Sequence, residues 1–132
     1  MIRFTIPGRP VTKKNSLQIA MRKDGRRFPR QSEQYIAYES AAGYFIPCKR
    51  LGIDYPVNVR CVYYMPDRRR VDLTNLLSAT DDILVKYGVL ADDNSRIVAS
   101  HDGSRVLYDK QNPRVEIEIR RADKTQDGSE KT

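Results

Sequence analysis

Three consecutive arginines, Arg68, Arg69 and Arg70, run into an acid, Asp72, and a second acidic pair, Asp92 and Asp93, follows twenty residues later. Guanidinium groups grip phosphate in bidentate fashion. Carboxylate oxygens suit a small, hard divalent cation such as Mg²⁺. The two side-chain types within one short stretch are what chemistry on a phosphodiester needs. Each acid also has an ordinary explanation. Asp72 stands where a helix N-cap would stand, and Asp is a favoured cap. Asp92-Asp93-Asn94 reads as a turn, which favours the same residue types. The joint pattern says more than either part, because the chain between the two acidic groups has the length of a helix that returns it.

Those residues need elements to hold them. Leu73, Leu76, Leu77, Thr80, Leu84 and Tyr87 fall on one helical face, so the spacing predicts a helix over Leu73–Tyr87 with Gly88 as its C′ residue. Asn75, Asp82 and Lys86 lie on its other side, near Asp72 around the helical wheel. Before it, Val57, Val59, Cys61 and Tyr63 alternate with Asn58 and Arg60, a strand with one buried face that Met65-Pro66-Asp67 ends. Residues 2–6 alternate in the same way and read as a first strand stopped by Pro7-Gly8. Residues 32–46 read as a helix with Ser32 as N-cap and Tyr35, Ile36, Ala42 and Phe45 as its apolar stripe, stopped by Pro47. Arg96–Ser100 reads as a strand, His101–Ser104 as a hairpin turn, and Val106–Tyr108 as the return strand. Val115, Ile117 and Ile119 mark a last strand with a solvated face. The fold class is α+β, a mixed β-sheet with two main helices packed against it.

Between Arg9 and Arg30 lie eight basic residues (Arg9, Lys13, Lys14, Arg22, Lys23, Arg26, Arg27, Arg30) and one acid, Asp24. That local excess equals the formal +7 of the whole 132-residue chain, which has 24 Lys and Arg against 17 Asp and Glu. A field of that sign favours polyanions, nucleic acid before anionic membrane. Residues 9–30 are therefore a basic arm or hairpin around the Asp24-Gly25 turn, suited to tracking phosphates. Residues 1–121 form a single domain, and residues 122–132, polar throughout, read as a disordered tail.

Other chemistries find no support. The two cysteines, Cys48 and Cys61, are too few and too far apart for a zinc signature or a disulfide framework. His101 has no nucleophile beside it. Tyr63, Tyr64 and Tyr108 read as core or sheet-face residues rather than stacking platforms. No apolar run reaches the roughly 18 residues of a membrane span, and the N-terminus lacks a signal-peptide pattern. The expected location is the cytoplasm, with no membrane partner.

The stretch from Met65 to Ile97 resembles the RusA-like family of crossover junction endodeoxyribonucleases, Holliday junction resolvases of phage and prophage origin. Met-Pro-Asp, the arginine run, Asp-Leu-x-Asn, Asp82 and Asp92-Asp93 fall at the family's spacing, and the likeness extends over Val57–Ile119. Pro10 and Lys13-Lys14-Asn15 are similar to the family's loop after the first strand. The resemblance implies a homodimer that binds four-way DNA junctions and resolves them by paired nicks with Mg²⁺, Mn²⁺ being a possible substitute, in recombination and repair. It implies that Asp72 and Asp93 are catalytic, and that the metal lies among Asp72, Asp93, Asp92 and Thr74. Phosphates would be held by Arg68, Arg69, Arg70, Lys13, Lys14, Asn15 and Asn75. Thr74 stands where the family has a second acid, and Ser78 where it has a lysine, so the site has one carboxylate fewer unless Asp92 or Asp82 substitutes. Two rivals remain: a branched-DNA-binding module with a weak or inactive site, and a general RNA- or single-strand-binding protein.

Overall fold

A computed structural model describes residues 1–13 and 17–122. Its centre is β4 (Val57–Met65), where Val57, Val59, Cys61, Val62, Tyr63 and Met65 are all buried. The predicted alternation is there, but neighbours on both sides of the sheet bury more than one face. Against β4 lies β7 (Arg114–Arg121), antiparallel, and β1 (Ile2–Pro7) pairs antiparallel with β7. Val115, Ile117, Ile119 and Ile6 add to the same core. Pro7 is the last residue of β1, a position where its missing N–H costs nothing at the strand end.

Helix α2 (Leu73–Lys86) crosses from β4 and buries Leu76, Ala79, Thr80, Ile83 and Leu84. Tyr87 is its C-cap, and Gly88 follows at φ 73°, the left-handed conformation expected of a C′ glycine. Inside, the Thr80 hydroxyl donates to the Leu76 carbonyl at 3.0 Å. Its oxygen must then accept from the Tyr63 hydroxyl, 2.7 Å away, so α2 is tied to β4 by a buried polar link as well as by packing.

Helix α1 is shorter than the sequence implies. It runs Glu33–Ala42, with the Ser32 hydroxyl accepting from the Tyr35 N–H as expected, and a 3₁₀ turn follows at Gly43–Phe45. The cause is tertiary. The Tyr87 hydroxyl donates to the Glu39 carbonyl at 2.8 Å, satisfying an orphan group of the helix end. The same ring lies so close to Gly43 that an added Cβ would meet it at 2.7 Å. Tyr35 and Ala42 are buried as expected, but Phe45 is exposed and Tyr38 packs on the core instead.

The late strands correct a second expectation. β5 (Val98–Ser100) and β6 (Arg105–Tyr108) are not a hairpin: both run parallel to β4, β5 beside its start and β6 beside its end. The segment His101–Ser104 is a kink pinned to β4. The buried Asn58 side chain accepts from the Ser100 hydroxyl (2.5 Å) and the Asp102 N–H (2.7 Å), and donates to the Asp102 carbonyl (3.1 Å). The Cys61 N–H donates to the Ser104 hydroxyl at 3.0 Å. The Asn58 side chain and the Cys61 backbone of the central strand thus hold the chain on course where the local sequence reads as a reversal.

β2 (Leu17–Met21) and β3 (Arg27–Gln31) form a separate antiparallel hairpin, the ordered alternative for the basic arm. Gly25, at φ 87°, and the Asp24 carboxylate, which accepts from the Arg26 N–H, make its turn. The expected tail from 123 onward lies outside the described residues.

Candidate functional site

Strand directions gather the site. β1 and β4 both run antiparallel to β7, and β6 runs parallel to β4, so β1, β4 and β6 all finish at one end of the sheet. In open sheets with crossover helices, ligands bind beyond the carboxyl ends of such strands. Here Arg9, Pro10, Val11 and Thr12, leaving β1, face Met65, Arg69, Arg70 and Val71, leaving β4. With Gln34 of α1 they line an open cleft of about 390 Å³.

Asp67 braces that cleft. Its Oδ2 lies 2.7 Å from Arg9 Nη1, and its Oδ1 accepts from the Arg69 N–H at 3.1 Å. The Arg9 bond, then the Arg69 N–H, hold the Asp67 carboxyl below its ordinary range. The three arginines part company. Arg69 and Arg70 line the cleft, whereas the guanidinium of Arg68 lies over the Tyr108 ring, 4.5 Å from its centroid.

Asp72 is exposed at the N-terminus of α2, and its Oδ1 accepts from the Thr74 N–H at 2.9 Å. It is a cap, one residue after Val71, the last lining residue of the arginine cleft. Thr74 is exposed and Asn75 half-buried in the next positions. The remaining acids cluster farther along. Lys13 Nζ lies 3.0 Å from Asp82 Oδ2 and 5.8 Å from the centre of the Tyr35 ring. Asp93 has its carboxyl pushed up, first by desolvation, then by the charges of Asp82 and Asp92. Asp92 turns inward on its own loop, accepting from the Asp93 N–H (2.7 Å) and the Asn94 amide (3.0 Å), which lower its pKa.

The structure therefore brings Lys13, Asp82 and Asp93 into one electrostatic group. Asp72 and Asp82 are ten residues apart on one helix, about 15 Å along its axis. Among the described residues, no three His, Cys, Asp or Glu side chains come together closely enough to hold a metal ion. Lys14 and Asn15 lie outside the described residues. No helix of the described residues is long and apolar enough to cross a membrane.

One pair escaped sequence reasoning. Asp81 is 7% exposed, and its Oδ2 lies 2.9 Å from His101 Nε2. The two are twenty residues apart and belong to no local pattern, so no sequence signal marks them as partners. Asp81 Oδ1 is buried without a hydrogen-bond partner.

An α+β domain with an arginine-lined cleft opening beside exposed carboxylates has the makings of a protein that handles phosphodiesters. The comparisons with known proteins narrow the class: the endodeoxyribonuclease RusA family matches residues 7–120, and this chain belongs to that family. The chain is 49% identical over 43 residues to the crossover junction endodeoxyribonuclease rusA of Enterobacteria phage 82. It is identical to the same degree, over the same length, to the enzymes of that name from Escherichia coli and Shigella sonnei. Each of these matches covers 33% of this chain and only 36% of the relative.

Membership implies the use of a divalent cation, and the donors here can be tested against it. Every candidate ligand is an oxygen: the carboxylates of Asp72, Asp82, Asp92 and Asp93 and the hydroxyl of Thr74. Mg²⁺ commonly takes one or two carboxylates and keeps several waters, so it does not require a cage of three acids. Asp93 is raised first by desolvation and then by the charges of Asp82 and Asp92, and a bound cation would offset that crowding of negative charge. The residues present fit the group.

Proposed function

We propose that this protein is a Mg²⁺-dependent, structure-selective endonuclease that binds four-way DNA junctions as a homodimer and resolves them by paired nicks, serving recombination and repair in the cytoplasm. The observation that carries the reading is the cleft lined by Arg69, Arg70 and Val71, which Asp72 follows directly in the chain, within a member of this family.

Asp72, at the start of α2, and Asp93, beside Asp82, would supply the carboxylates for the cation, with Asp92 and the Thr74 hydroxyl in supporting positions. Bound there, Mg²⁺ supplies positive charge at the scissile phosphate and a lower pKa for the attacking water. The chain's own residues do the rest. Arg69 and Arg70 fix the phosphate in the cleft by bidentate contacts, and Asp67 holds the Arg9 guanidinium and the Arg69 backbone in place beside it. Lys13, anchored on Asp82, adds charge on the far side, and Arg68, Asn75, Lys14 and Asn15 extend the backbone contacts. Two protomers related by a two-fold axis would present two clefts to opposed strands of a two-fold junction.

The test is cleavage of a labelled synthetic four-way junction beside a linear duplex, with Mg²⁺, with Mn²⁺ and with chelator. Paired nicks confined to the junction and to the metal-containing lanes are expected. Cutting of the duplex at an equal rate, or cutting in chelator, would sink the reading. A second reading, a junction-binding module without effective catalysis, is favoured by one observation: Thr74 supplies no charge where the family pattern has an acid. It predicts tight, salt-sensitive junction binding with no nicks under either ion, and recovery of nicking in Thr74→Asp.

A further inference from the structure

The cleft has a neighbour at the same end of the sheet. Tyr108, the last residue of β6, pairs in register with Met65, the last residue of β4, so it stands beside the start of the arginine run. Tyr108 is 41% exposed on an edge strand, next to Leu107 at 42%, and Lys110 is exposed just beyond.

Three arginine–tyrosine stacks occur among the described residues, and they differ in what else the arginine does. Arg114 lies 3.8 Å over Tyr64, but its guanidinium is also bonded to Asp109, Glu116 and the Asn112 carbonyl. Arg121 lies 4.3 Å over Tyr55, at the opposite end of the sheet, where β7 ends beside the start of β4. Arg68 lies over Tyr108 and, among the described residues, makes no hydrogen bond or ion pair. The nearest acid in sequence, Asp109, is engaged by Arg114 and by the N–H groups of Gln111 and Asn112. A guanidinium with all its donors unused thus rests on an exposed ring, one residue from the arginine pair that lines the cleft.

A surface cation–π pair by itself need mean nothing. The setting changes the weighing. Arg69 and Arg70 select phosphate, so whatever lies beside them meets the sugar and base of the same nucleotide. A flat ring backed by a cation is the surface on which an unstacked base settles, whatever its identity. A continuous duplex keeps its bases stacked on both sides, whereas a base at a branch point has lost a stacking neighbour.

We propose that Arg68 and Tyr108 form a stacking platform for one nucleobase left without a stacking neighbour at the branch point of branched DNA, while Arg69 and Arg70 hold the flanking phosphates. The platform rests on the junction-binding reading and deepens it: it gives the protein a reason to prefer a branch point over a duplex of equal charge.

The experiment measures the affinity of Tyr108→Ala, Tyr108→Leu and Tyr108→Phe for a fluorescent four-way junction and for a linear duplex of the same length, at several salt concentrations without divalent metal. Leu keeps apolar bulk on the edge strand but has no π face, and melting curves check that each variant is folded. Ala and Leu should weaken junction binding roughly tenfold, the scale of one base–aromatic stack, with duplex binding and salt dependence unchanged. Phe should bind within about twofold of wild type. If wild type prefers junctions and Tyr108→Leu does so equally, or if the variant loses junction and duplex binding alike, the platform is overturned and the junction reading stands. If wild type shows no preference, the junction reading falls and the platform with it.

Discussion

Asp72 has two roles assigned to one side chain, and substitution can separate them. As the N-cap of α2 it accepts a 2.9 Å hydrogen bond from the Thr74 N–H, and it is exposed. Removing such a cap costs about 0.5–2 kcal/mol; a single bond at an exposed end puts Asp72→Ala near 1 kcal/mol. For a domain of this size that is a fall in melting temperature of about 4 °C. Asn caps as well as Asp, so Asp72→Asn should lose only the attraction between the carboxylate and the helix dipole, about 0.3–0.5 kcal/mol. As a metal-holding group, however, Asp72 has no substitute in Asn, which brings no charge. Nicking of the four-way junction should fall at least about a hundredfold in both variants, because several kcal/mol of transition-state charge stabilisation depend on the cation. The assays are calorimetric melting and single-turnover nicking with Mg²⁺. Asp72→Asn that melts near wild type and does not nick, beside Asp72→Ala that melts lower and does not nick, is the expected pattern. Nicking at the wild-type rate in Asp72→Asn would reduce Asp72 to a cap. Melting of the Asn variant as low as the Ala variant would refute the capping account.

The Asp81–His101 pair should behave as a buried contact whose loss is worse than its replacement. His101→Ala leaves a 7% exposed carboxylate with neither oxygen bonded, at a cost of about 1–3 kcal/mol, while Asp81→Leu combined with His101→Ala should recover most of that in urea unfolding. A double variant no more stable than the single one would count against this. Asp67 and Asp109 are each held below the ordinary 3.8, first by a hydrogen bond from Arg9 and Arg114 respectively. Folded values lower than unfolded ones mean stability that is present above that range and is lost as pH falls through the lowered values. Arg114→Gln should therefore lose less of its melting temperature than wild type does below about pH 4, and an acid limb of unchanged steepness would contradict the assignment. Asp93 carries the opposite sign: its raised carboxyl favours the fold at low pH, and that contribution is lost as pH rises through the raised value.

Much of the scaffold can be read along the chain. β1, β7 and α2 each bury one side, and a side recurs every second residue in a strand and every third or fourth in a helix, so burial leaves a local trace. The Ser32 and Asp72 caps, the Asp24-Gly25 turn and the glycine after α2 are equally local, because each acts on backbone within a few residues. The family motif is legible for the same reason, since it is concentrated between Met65 and Ile97.

What the sequence by itself determined, then, is the α+β class, the positions of the principal elements and the family motif between Met65 and Ile97. The tertiary structure alone decided how they meet. The run His101–Ser104 has the composition of a reversal, yet Asn58 and Cys61, more than forty residues away, hold it parallel to β4. The end of α1 is set by Tyr87, 48 residues beyond the carbonyl it bonds. Arg68 leaves its two neighbours for the ring of Tyr108, and Asp81 finds His101, through contacts that no spacing announces. Periodicity records which face of an element is buried; it carries no record of which distant group does the burying, and that choice is made only when the packed core brings the elements together.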